Sequence, residues 1–195
     1  MQTKSLDILK YIAKLSNIAL LLTAAHIDLL PSLVQFIASD GDVGGSGGRD
    51  QGSVAVADNR AHQSLEVISS LLQGNSINRH TLCNPASGLV EALMNTVRPA
   101  VRSRFLGVTA NQVLAVASLG RLCIARENSV YLTRAGLLDL LKVLAGAKQS
   151  SGQKLSRSEK KNLQLVCHNA RKAVELLQGH ISAAMLQTNG TSPGR

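Results

Sequence analysis

Four short segments recur along this 195-residue chain at nearly constant intervals, and that recurrence constrains the fold more than any single motif. Leu15-Ser-Asn-Ile-Ala lines up with Ile68-Ser-Ser-Leu-Leu, then Leu119-Gly-Arg-Leu-Cys, then Ala173-Val-Glu-Leu-Leu. Their central residues, Asn17, Ser70, Arg121 and Glu175, are separated by 53, 51 and 54 positions. Each segment closes a stretch with helical apolar spacing. The last is the clearest, with Leu163, Val166, Cys167, Ala170, Val174 and Leu177 on one side. Near-equal steps of helical pattern indicate stacked units that bury their faces against neighbours.

Composition agrees with helices. Aromatic residues make up 2% of the chain and Trp is absent, so Leu, Ala, Val and Ile must fill the core. A β-sandwich would favour β-branched and aromatic residues. The spacing predicts a first helix over 5–22, with Ser5 as its cap. A second opens at Pro31, whose missing N–H has no intrahelical partner in a first turn, and runs to about Ser39. Residues 40–57, rich in glycine, read as a flexible loop. They lack the preceding strand and following Lys-Ser/Thr of a phosphate cradle.

A helix from Asp58 to Gln73 follows, stopped by Gly74. Asn75 to Asn84 reads as a turn with a short helix. The helix opened by Pro85 should end near Arg98-Pro99, because the residue before a proline avoids helical geometry. Thr109 or Asn111 starts the next, a short helix spans Asn128 or Ser129 to Ala135, and another runs from Gly136 to Ala147. Ser156 with Glu159 is a capping-box candidate for the final long helix, which Gly179 should end or bend. Residues 188–195 read as a disordered tail, leaving 1–187 as a single domain.

The recurring unit resembles the armadillo family. That unit ends its long third helix in a pattern like A-L-S-N-L-A, then has a short first helix, then G-a-I-P-x-L-V-x-L-L opening the second. Leu15-Ser-Asn-Ile-Ala with Leu30-Pro-Ser-Leu-Val-Gln-Phe-Ile37 is similar to it. So are Leu119 to Cys123, Glu127-Asn128 and Ala135-Gly-Leu-Leu-Asp-Leu-Leu141, and more weakly Ser87-Gly-Leu-Val-Glu-Ala-Leu93. HEAT-type repeats are the close alternative. The resemblance covers about residues 5–178 and implies an all-α, right-handed α-solenoid of about three to four armadillo-like repeats. It implies a partner-binding face on the third helices, at Asn17, Ser70, Arg121 and Glu175. Peptide-binding members carry asparagine at this position. Only Asn17 keeps it here, so a nuclear-import-type peptide groove is not expected.

The net charge of +9 rises toward the C-terminus, where residues 149–195 hold seven basic and two acidic side chains, a sum of +5. Lys154, Arg157, Lys160, Lys161, Arg171 and Lys172 form the candidate basic patch. It fits an acidic protein partner or, alternatively, nucleic acid. Aromatic residues suited to base stacking do not interleave it. Cys83, Cys123 and Cys167 are too far apart for a zinc pattern, and Cys123 and Cys167 fall at apolar helix positions as reduced core residues. His26, His62, His80, His168 and His180 pair with no acid or Cys at a recognised spacing, and adjacent Cys167 and His168 diverge by about 100° on a helix.

The sequence therefore predicts a non-enzymatic interaction or scaffold module without cofactor or metal, in the cytoplasm or, alternatively, the nucleus. Lys4, Lys10 and Lys14, or the apolar run Ile18 to Ala25, read alternatively as a targeting segment. No run of 18 apolar residues marks a membrane span.

Overall fold

The computed structural model describes residues 29–40, 51–74, 76–105, 107–148 and 154–189. The expected first helix, Asn17, His26, residues 41–50 of the glycine-rich stretch and residues 190–195 lie outside the described residues. Within them the chain forms eight α-helices and no strand. We number these α1 (Leu29–Asp40), α2 (Gln51–Gly74), α3 (Ser76–Leu82), α4 (Leu89–Arg102), α5 (Ala110–Leu122), α6 (Ser129–Arg134), α7 (Leu137–Ala145) and α8 (Arg157–Asn189). Short 3₁₀ turns at Pro85–Ser87 and Arg126–Asn128 complete the set.

The helices pair by apolar faces. α1 packs on α2, α4 on α5, and α7 on α8. The long helices then touch in chain order, α2 on α5 and α5 on α8, as do α1 on α4 and α4 on α7. One hydrophobic core runs through all these pairs, from Leu33 and Ile37 through Leu65, Leu93 and Leu119 to Val166 and Leu177. Burying a Leu or Ile side chain contributes about 1.5–3 kcal/mol, so a continuous apolar interior is the main stabilising term.

Two glycines repeat the same bend. Gly88 (φ 66°) precedes α4 and Gly136 (φ 79°) precedes α7. Both occupy the left-handed region that a side chain enters only at a cost. They turn the chain from a short segment into the helix that carries the next long one.

Sequence and structure part at three helix ends. α2 begins at Gln51, inside the stretch 40–57 expected as loop; after Gly52 that stretch is Ser-Val-Ala-Val-Ala, which contains no helix breaker. α4 passes through Pro99 to Arg102 instead of stopping before it. Val97 and Ala100 are buried on either side of the proline, and packing outweighs its lost hydrogen bond. The true end is a left-handed pair, Arg104 (φ 53°) and Phe105 (φ 68°), with the Phe105 N–H donating to the Ala100 carbonyl at 2.6 Å. α8 continues past Gly179 to Asn189. Leu177 and Ile181 pack on the core on either side of that glycine, and Arg126 donates to Gln187 Oε1 at 2.7 Å near the far end.

Pro85, expected to open α4, opens only the 3₁₀ turn Pro85–Ser87, and α4 starts after Gly88 at Leu89. Two capped starts match the expectation. Thr109 caps α5 and exchanges hydrogen bonds with Gln112. Before α8, the Ser156 N–H donates to Glu159 Oε2 at 2.8 Å and the Glu159 N–H to Ser156 Oγ at 3.2 Å. These bonds hold the Glu159 carboxyl below its usual pKa.

Candidate interaction surfaces

Polar side chains that reach partners 53 and 54 positions away tie the junctions between long helices. Asn111, at the start of α5, donates from Nδ2 to Asp58 Oδ1 on α2 at 2.7 Å. Its Oδ1 can only accept, so the His62 Nδ1–H, 2.8 Å away, donates to it. Asn162 on α8 donates to the Val108 carbonyl just before α5 at 2.9 Å. At the other ends, Asn78 donates to the Leu71 carbonyl at 3.1 Å. The buried Asn128 donates to Leu122 and Arg79 carbonyls at 3.0 and 3.1 Å. Each short segment thus satisfies carbonyls left open at a helix C-terminus.

The expected binding residues divide among different settings. The Ser70 hydroxyl donates to the Glu66 carbonyl one turn back, at 2.8 Å. Arg121 reaches from α5 to α2, where its guanidinium donates to the Ser69 carbonyl at 3.1 Å and to the Ser69 hydroxyl. Partial burial, then the nearby Arg79 charge, lowers its pKa from the usual arginine value. The cation is oriented and meets no carboxylate among these contacts.

Arg121 does not share a groove with Glu175. It lines a 200 Å³ groove between α5 and α8 together with Ala117, Gly120, Ile124, Lys172 and Leu176. Glu175 lies in the adjoining 450 Å³ hollow with Lys172, Leu176, Gly179 and His180. Lys172 borders both. It follows Arg121 by 51 positions, the step that also separates Asn111 from Asn162. That step was the signal in the sequence; aligning helix-end patterns pointed to Glu175, one turn further on. A Cβ on Gly120 would lie 3.7 Å from Ala173 Cβ, an ordinary contact that leaves little room for a larger side chain.

The six basic residues of the C-terminal region are all exposed, and they do not form one patch. Lys172 belongs to the α5–α8 groove. Lys160 and Arg171 line a separate groove of 410 Å³ between α8 and the end of α7, with Ala147, Leu163, Gln164, Cys167 and His168. Lys154, Arg157 and Lys161 line neither of these grooves.

No family model, curated protein or solved structure matches this chain. Its chemistry must be read from its own residues. The cysteines are free and buried, with burial pushing the Cys83 and Cys123 thiols up to about 12. Such thiols are poor nucleophiles at neutral pH. Among the described residues, no group of three His, Cys, Asp or Glu could hold a metal ion. No described helix is long and apolar enough to cross a membrane.

Proposed function

We propose that this chain is an armadillo-like α-solenoid that acts as a non-enzymatic interaction module, binding a protein partner along the face of its long helices. The observation that carries this reading is the α5–α8 groove. There Arg121, fixed by Ser69, and Lys172 flank the exposed apolar side chains of Ile124 and Leu176. Oriented cations beside apolar surface suit a protein contact, in which the apolar side chains supply burial and the charges supply selection. The repeat reading draws support from the chain-order contacts of α2, α5 and α8 and from the paired glycines before α4 and α7. Stacked units of this kind present extended binding surfaces.

The test is affinity capture from the native cell with wild-type protein and with the double variant Arg121→Glu/Lys172→Glu. Partners that depend on this face disappear from the variant and persist with Lys154→Glu. Identical partner sets would refute the assignment. A salt titration separates the nucleic-acid alternative: loss of about a decade or more of affinity over a several-fold rise in salt indicates phosphate contacts.

A further inference from the structure

The groove between α7 and α8 has a chemistry of its own. Lys160, Gln164, His168 and Arg171 stand along one side of α8, at steps of four, four and three residues. Such a row rises about 6 Å per four residues and about 16 Å over its length. The floor is apolar, formed by Leu163, Cys167 and Ala147. Among the described residues, no acidic side chain lines it. The nearest acid in sequence before the row, Glu159, is engaged with Ser156, and Glu175 lies in a different hollow.

The groove is also positioned. Arg171 Nε donates to the Ala145 carbonyl at 3.1 Å, at the C-terminus of α7. This aims the guanidinium through its Nε, and its two terminal nitrogens carry the remaining N–H donors. The Cys167 thiol donates to the Ala147 carbonyl at 3.5 Å, which ties the chain end beyond α7 to the floor.

We propose that this groove is a second docking site, taking an extended acidic segment of a partner protein. Carboxylates of that segment meet Lys160, His168 and Arg171, and an apolar side chain rests on Leu163 and Cys167. Alternate side chains of an extended chain repeat every 6.6 Å or so, close to the spacing of the donor row. Five residues span its whole length at about 3.3 Å each. Charge complementarity selects the acid, and the apolar floor favours a peptide over a nucleic acid, since Leu163, Cys167 and Ala147 can bury an aliphatic side chain but gain nothing from a phosphate or a sugar.

The probe is a fluorescent ten-residue peptide with Glu at alternate positions and Leu between them, titrated with the full chain. Its Gln-for-Glu counterpart and a single-stranded oligonucleotide of equal charge serve as comparisons. Saturable binding of the acidic peptide is expected, weakened at least tenfold by Lys160→Glu/Arg171→Glu and clearly weakened by Lys160→Glu alone, which leaves the Arg171 cap intact. Arg121→Glu/Lys172→Glu should leave it unchanged, so this site and the α5–α8 face fail independently. Equal binding by the Lys160→Glu protein, binding of the Gln peptide as tight as the Glu peptide, tighter binding of the oligonucleotide, or no binding of the acidic peptide would each overturn the proposal.

Discussion

α5 and α8 are long-helix counterparts in the same packing scheme, yet they differ in what they hide. α5 lies between α2 and α8 and packs on α4 as well. Even polar side chains are buried on it, including Asn111, Gln112 and Ser118. α8 packs on α5, α6 and α7. Its buried residues form one stripe through Leu163, Val166, Ala170, Ala173 and Leu177. The opposite stripe, Gln164, His168, Arg171, Glu175, Gln178 and Ser182, is polar and exposed throughout. On a helix with neighbours on several sides polar side chains find partners inside the protein, as Asn111 and Gln112 do, or stay unpartnered among the described residues, as the Ser118 hydroxyl does, whereas a helix with an open side can present them for recognition. The grooves described above accordingly involve α8.

The sharpest way to break this comparison is stability. Leu119→Ala, at a side chain with 0% exposure on α5, should cost about 2–5 kcal/mol in denaturant unfolding. Leu176→Ala, at 38% exposure on α8, should cost less than about 1 kcal/mol, because most of the gain from burying a side chain is absent there. Equal losses would show that the two helices carry the core alike. Asn128→Ala removes two buried carbonyl partners and should cost about 1–3 kcal/mol, measured the same way.

A smaller effect is expected at Gly136. No atom lies within 4 Å of a Cβ placed there, so Gly136→Ala should cost only the left-handed backbone term, about 1–2 kcal/mol. A larger loss would mean that the bend also governs how α7 meets α8. Thiol labelling sharpens the contrast kinetically. Cys123, fully buried beneath α5, should react only when the protein unfolds, while Cys167 beside the α7–α8 groove should react sooner. Identical rates for the two would remove the distinction.

The smallest effect is electrostatic. Glu159 has a folded pKa below its unfolded one, so its cap contribution is complete above the unfolded value and disappears as pH falls through the folded value. Ser156→Ala should raise the Glu159 pKa toward that of an ordinary carboxyl, observable by NMR titration, and should flatten the acid side of the stability curve.

Much of the local structure was legible because its causes are local. Thr109 with Gln112 and Ser156 with Glu159 are capping pairs three residues apart, and Gly136 marks a turn that needs a positive φ. The end of α4 was not legible, since Pro99 is a strong stop signal that burial of Val97 and Ala100 overrides. Arg104 and Phe105 then take left-handed geometry without a glycine to announce it. The grouping of the basic residues was also hidden. Lys160 and Arg171 face α7 while Lys172, next in sequence to Arg171, faces α5, because adjacent residues on a helix diverge by about 100°.

The sequence by itself determined that this chain is helical and where most of its helices start, because apolar spacing and caps act within a few residues. Only the tertiary structure decided which charged side chains share a groove. That depends on how α8 is rotated against α5 and α7, and a rotation is fixed by packing between helices that are far apart in the chain.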